Sequence, residues 1–138
     1  MDRNALSPPR SPPARLLIVD DHELARASLR LLLSGEPDLE VIGVAVNGKE
    51  AVACCRKLHP DLVVMNVRMP IMDGITATRL IRKACPATKV LLLSIMVNTK
   101  YRTAARQAGA SGYLLKEATR LELVTAIRQV LAGKRLFE

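Results

Sequence analysis

Five polar side chains each follow a short aliphatic run: Asp20 and Asp21 after Leu16–Val19, Asn66 after Leu62–Met65, Ser94 after Val90–Leu93, and Lys116 after Gly112–Leu115. If those runs are parallel strands, two carboxylates, an amide, a hydroxyl and an ammonium converge at one end of a sheet. In open α/β sheets, function gathers in the crevice beyond the carboxyl ends of the strands. Each residue alone has a plain reading. Asp21 could cap the following helix, Ser94 could be a loop hydroxyl, and Lys116 a solvated lysine. Their joint appearance, each at the same end of its own run, points to a site.

The elements that must position them follow from periodicity. Runs at Leu16–Val19, Val41–Val46, Leu62–Met65, Val90–Leu93 and Gly112–Leu115 show little polar alternation, as strands buried on both faces do. Between them lie segments of helical period: His22–Ser34, Gly48–His59, Gly74–Cys85, Thr99–Ala108 and Thr119–Ala132. In the fourth, Tyr101, Ala104, Ala105 and Ala108 supply an apolar stripe. Pro37, Pro60 and Pro86 punctuate the connections. Five such β–α units predict a doubly wound parallel sheet with helices on both faces.

A chain of 138 residues suits one core. Residues 1–14 hold Pro8, Pro9, Pro12 and Pro13 with little to bury, and are expected to be a disordered tail before a domain at 15–138. The net charge of +8 favours acidic partners over basic ones, although a solvated face is the commoner cause. Cys54, Cys55 and Cys85 lack disulfide or zinc spacing, and the first two read as small core residues of a cytoplasmic protein. No apolar run reaches the length of a membrane span. The first and last helices carry more leucine than one core stripe needs. Leu29, Leu33, Leu123 and Val130 are therefore expected on outer faces available to a homodimer.

The runs LIVDDH at Leu17–His22, LVVMNVRMPIMDG at Leu62–Gly74, LLLS at Leu91–Ser94 and ASGYLLK at Ala110–Lys116 resemble the signature blocks of response-regulator receiver domains, with LuxR/NarL-type transcriptional regulators the nearest pattern. The resemblance covers Arg15–Glu138. It implies a flavodoxin-like fold of strand order 2-1-3-4-5 and a two-component signalling switch in place of an enzyme. It further implies a sensor histidine kinase as partner, and DNA contact only through an output domain that this chain lacks. By the same resemblance Mg²⁺ would be held by Asp21 directly, by Asp20 through water, by the Arg68 carbonyl and by the side chain at 66. Lys116 and Ser94 would contact a phosphoryl group, Ser94 and Tyr113 would form the switch, and Pro70 and Gly74 would shape the adjoining loop.

Two positions depart from that pattern. Glu117 follows Lys116 where many receivers have proline, so no cis peptide is expected there. Asn66 stands where the phosphoacceptor aspartate belongs. An amide has the carboxylate's shape but no anionic oxygen for attack, and it removes one negative charge from the Mg²⁺ cluster, which weakens the ion's hold. The otherwise complete set favours an Asp→Asn replacement in a phosphorylatable receiver; the alternative is a natural pseudo-receiver that works as a protein-interaction module. A dehalogenase-type phosphatase needs an aspartate two residues beyond Asp20, where this chain has His22. A free-standing nucleic-acid module lacks a helix-turn-helix or an aromatic platform.

Overall fold

The computed structural model describes residues 12–96 and 98–137. Five strands alternate with five helices: β1 (Ala14–Val19), α1 (Glu23–Leu33), β2 (Leu39–Ala45), α2 (Gly48–Leu58), β3 (Leu62–Asn66), α3 (Gly74–Ala84), β4 (Lys89–Ser94), α4 (Thr99–Ala108), β5 (Gly112–Leu115) and α5 (Arg120–Leu131). The sheet has the order β2-β1-β3-β4-β5, with every pairing parallel. The order reverses between β1 and β3, which opens a crevice at their carboxyl ends.

Period-two geometry sends alternate side chains to opposite faces. Leu17, Val19, Val63, Met65, Val90 and Leu92 meet Ala51, Cys55, Ala77, Ile81 and Ala105 of α2, α3 and α4. Leu16, Ile18, Leu62, Val64, Leu91 and Leu93 meet Leu29 and Leu33 of α1 and Leu123, Ile127 and Val130 of α5. Each fully buried Leu or Ile side chain contributes roughly 1.5–3 kcal/mol of transfer free energy. The predicted stripe of α4 is present, with Ala105 and Ala108 buried and Tyr101 and Ala104 packed beside them.

Three sequence expectations need correction. Leu29, Leu33, Leu123 and Val130 are buried, not displayed. Helices α1 and α5 lie side by side on one face, so these residues meet the sheet and the neighbouring helix together. On α1 and α5 the leucines left to solvent are Leu24 (82% exposed), Leu31 (77%) and Leu121 (75%). The domain begins inside the expected tail, because Ala14 pairs with Leu39 and its N–H donates to the Asp38 carbonyl at 2.9 Å. The disorder expected for residues 1–11 lies outside the described residues. Only Cys55 of the adjacent cysteines is fully buried; Cys54 is half-buried. Burial, with the neighbouring Cys85 and Cys54, pushes the Cys55 thiol up to about 12.

The loops that frame the crevice are locally specified. Asn47 caps α2 by accepting from the Glu50 N–H at 2.8 Å, and Asp73 caps α3 by accepting from the Thr76 N–H at 2.7 Å. Gly74 is needed for close approach: a Cβ there would collide with the Asn66 carbonyl oxygen, while its N–H donates to the Val67 carbonyl at 2.7 Å. Pro70 offers its carbonyl to the Met72 N–H at 2.7 Å, closing a three-residue turn around Ile71, whose φ is 71°. No cis peptide occurs among the described residues, Lys116–Glu117 included.

Candidate functional site

The ends of β1, β3 and β5 bring Asp20, Asp21, Asn66 and Lys116 into one crevice, with the end of β4 between those of β3 and β5. Register places them there: Val19 lies beside Met65, Asn66 beside Leu93, and Ser94 beside Leu115. Asp20 is completely buried. Its Oδ2 accepts from Lys116 Nζ at 2.5 Å, and its Oδ1 accepts from the His22 N–H at 2.9 Å. Burial works to raise the Asp20 pKa. The Lys116 hydrogen bond, the His22 backbone N–H and the Lys116 charge outweigh it and hold the carboxyl below its ordinary value. The buried charge is thereby paired, as a buried carboxylate must be.

Asp21 does not cap α1. The N-cap is His22, with no side-chain cap bond, so Asp21 is left facing the crevice with its carboxylate partly exposed. Asn66 is nearly buried. Its Nδ2 donates to the Arg68 carbonyl at 2.9 Å and lies 3.4 Å from Asp21 Oδ1. The amide hydrogens therefore point at two oxygens of the kind a divalent cation takes.

Ser94 and Tyr113 converge on a backbone carbonyl of the β4–α4 loop. Ser94 Oγ donates to the Met96 carbonyl at 3.1 Å, and the buried Tyr113 hydroxyl donates to the same carbonyl at 3.4 Å. The Ser94 hydroxyl is thus engaged in its own loop in this conformation, while its carbonyl accepts the Lys116 N–H at 2.7 Å. A cleft of about 390 Å³ opens beside the crevice over Asp21, Arg68, Pro70, Asp73 and Tyr101.

His22 and Arg26 escaped the sequence reading. His22 Nδ1 lies 3.3 Å from Asp20 Oδ1 and 3.4 Å from Asp21 Oδ1. Asp20, Asp21 and His22 offer ligand atoms within 4.8 Å of one another. The available signal was adjacency to the Asp pair, but an exposed imidazole after a strand is ordinary. Arg26 donates to the Asp20 carbonyl at 2.8 Å, and only the helical turn between them reveals it. The donor set fits a hard cation: Asp21 Oδ1 and the Arg68 carbonyl are at hand, and Asn66 offers an oxygen once its amide turns over.

A 2-1-3-4-5 parallel sheet with this cluster at its switch point defines a flavodoxin-like, doubly wound receiver fold. Residues 16–128 match the family described as response regulator receiver domain. The response regulator protein VraR of Staphylococcus aureus is 39% identical over 124 residues, which is 90% of this chain and 59% of VraR. The chain thus spans about three-fifths of that curated relative. The NarL signal receiver domain from Mycobacterium tuberculosis superposes with a TM-score of 0.86 at 33% identity, covering 90% of this chain and all of that one. A LuxR-family two-component response regulator from Aurantimonas sp. SI85-9A1 gives 0.86 at 38% identity, covering 90% and 89%.

The chain belongs to the response regulator receiver domain family, with LuxR/NarL-family neighbours. Receiver domains act as signalling switches, bind Mg²⁺ through an acidic cluster and interact with sensor histidine kinases; a DNA-binding output domain is typical of the LuxR family. No helix among the described residues is long and apolar enough to cross a membrane.

Proposed function

We propose that this chain is the receiver of a transcription factor in which Asn66 occupies the phosphoacceptor position, so that no phosphoryl group can be taken up there. Asp21, the Arg68 carbonyl, a turned Asn66 amide and, through water, Asp20 would hold Mg²⁺, whose bound charge would neutralise phosphoryl oxygens. Lys116 is held beside the crevice by Asp20, ready to pair with an anion. Ser94 would leave the Met96 carbonyl to meet a phosphoryl oxygen, and Tyr113 would move with it. Pro70 and Gly74 hold the loop that carries the Arg68 carbonyl.

One observation supports this reading above the others. Asn66 Nδ2 donates toward Asp21 Oδ1 and the Arg68 carbonyl, so the amide joins with its hydrogens the oxygens that a cation would join with its charge. Without an anionic oxygen, the amide cannot attack a phosphohistidine. The same closed arrangement favours a second reading, a natural phosphorylation-independent pseudo-receiver acting as an interaction module. Both predict no adduct when the chain is incubated with Mg²⁺ and acetyl phosphate and its intact mass is measured. Asn66→Asp should create the adduct, and Lys116→Ala on that background should reduce it. A stoichiometric adduct on the unaltered chain would sink both readings.

The partners we infer are a sensor histidine kinase, a second copy of this chain in the cytoplasm, and DNA through an output domain outside it. A dimer built on the solvent-facing leucines of α1 and α5 should dissociate in sedimentation when Leu24 and Leu121 become Glu, while Arg102→Ala leaves it intact. The reverse pattern would move the interface to α4.

A further inference from the structure

β5 is the last strand of the sheet, and its outer edge needs cover. A segment after α5 supplies it. The Leu136 N–H donates to the Ser111 carbonyl at 2.8 Å, and the Tyr113 N–H donates to the Leu136 carbonyl at 2.9 Å, forming a parallel bridge opposite Gly112. The approach is tight: a Cβ on Gly112 would lie 2.9 Å from Leu91 Cδ1, 3.2 Å from Leu136 Cβ and 3.3 Å from the Leu136 carbonyl oxygen, so a larger residue would have to push the segment back by a few tenths of an ångström.

The neighbouring residues fasten this segment. Arg135 donates to the Ala110 carbonyl at 3.0 Å. Phe137 is 4% exposed and shares the apolar cluster of Tyr113, Ala105 and Ala108. The guanidiniums of Arg106 and Arg135 lie 4.9 and 5.4 Å from its ring centroid. Arg135, Leu136 and Phe137 are therefore a strap of three residues, seated by backbone pairing and by one buried ring.

Tyr113 belongs to both systems. Its hydroxyl bonds the Met96 carbonyl, which Ser94 also uses, and its backbone N–H holds the strap. We infer that the strap reads the position of Tyr113: it is seated while Tyr113 is buried and loosens when that side chain leaves the cluster. Departure of a large buried ring leaves a cavity in the cluster that seats Phe137, and packed clusters respond to lost volume by shifting. Coupling of this kind is reciprocal, so loosening Phe137 must also loosen Tyr113. The inference rests on reading Ser94 and Tyr113 as the switch pair.

Amide hydrogen exchange, followed by NMR on the whole chain, tests it. Phe137→Ala should speed exchange of the Leu136 and Tyr113 amides about tenfold or more relative to the amides of β3. Tyr113→Ala, or Tyr113→Leu if the alanine variant unfolds, should do the same at Leu136. Unchanged Leu136 exchange in the Tyr113 variants, or a rise no larger than in β3, overturns the strap. On the Asn66→Asp background with acetyl phosphate, movement of Tyr113 with no change at Leu136 also overturns it, leaving the switch reading intact. A phosphoryl adduct that leaves Tyr113 still, while the Tyr113 variants loosen Leu136, supports the strap and removes the switch role from Tyr113.

Discussion

At the scale of single residues, Asn66 sets the state of the crevice. To face a cation, its amide must turn over, which gives up its hydrogen bond to Arg68 and its approach to Asp21. It then contributes a neutral oxygen where an aspartate would bring a full charge. Calorimetric titration should therefore find weaker Mg²⁺ binding to this chain than to Asn66→Asp, with binding still detectable through Asp21. Equal affinities would show that residue 66 is outside the metal's shell. Asp20, Asp21, Asn66 and Lys116 were legible in the sequence because each ends an aliphatic run, and parallel register aligns such ends. His22 and the Met96 carbonyl were not. The first is placed by a turn at the helix start. The second is a backbone group, and its use by both Ser94 and Tyr113 depends on how a loop folds back.

At the scale of elements, the strands and helices were legible nearly to their ends, since buried parallel strands and amphipathic helices leave distinct periods. The curvature of the β3–α3 loop was not. Pro70 and Gly74 announced a turn, but nothing in the residue types announced that Ile71 would take a φ of 71°. A β-branched residue is a true outlier there, and such strain costs on the order of 1–3 kcal/mol. Ile71 is 78% exposed, so little packing offsets that cost. Ile71→Gly should stabilise the fold by about 1 kcal/mol, after allowing for the greater freedom of glycine in the unfolded chain. Urea melts would show it as a higher midpoint with an unchanged slope. A lower midpoint would mean that the exposed side chain contributes more than its backbone costs.

At the scale of the whole molecule, the α1–β2 connection is tied to α5 by charge, beside the shared face of α1 and α5. Arg128 of α5 donates to Asp38 from two nitrogens, at 2.9 and 2.7 Å, and to Glu36 at 2.6 Å, while Arg120 pairs with Glu36 as well. Sequence reading could not find this network, because its partners lie 84 to 92 residues apart and nothing in either segment names the other. The Arg128 hydrogen bonds outweigh the small effect of burial and hold the Asp38 carboxyl below its ordinary value. A folded-state pKa below the unfolded one gives stability that is complete above the unfolded value and is lost as pH falls through the folded value. The side chains of Asp38 and Arg128 are half exposed, so solvent screening limits the pair to about 0.5–1 kcal/mol, even with bidentate geometry. Asp38→Asn should therefore lower stability by that amount near pH 7 and by less at about pH 2, because the ionised pair's contribution is lost as pH falls through the native carboxyl's lowered pKa. Urea melts of both proteins at the two pH values would measure this. A difference of the same size at both would assign the effect to hydrogen bonding that the neutral side chain keeps, and the ionised pair would then contribute nothing of its own.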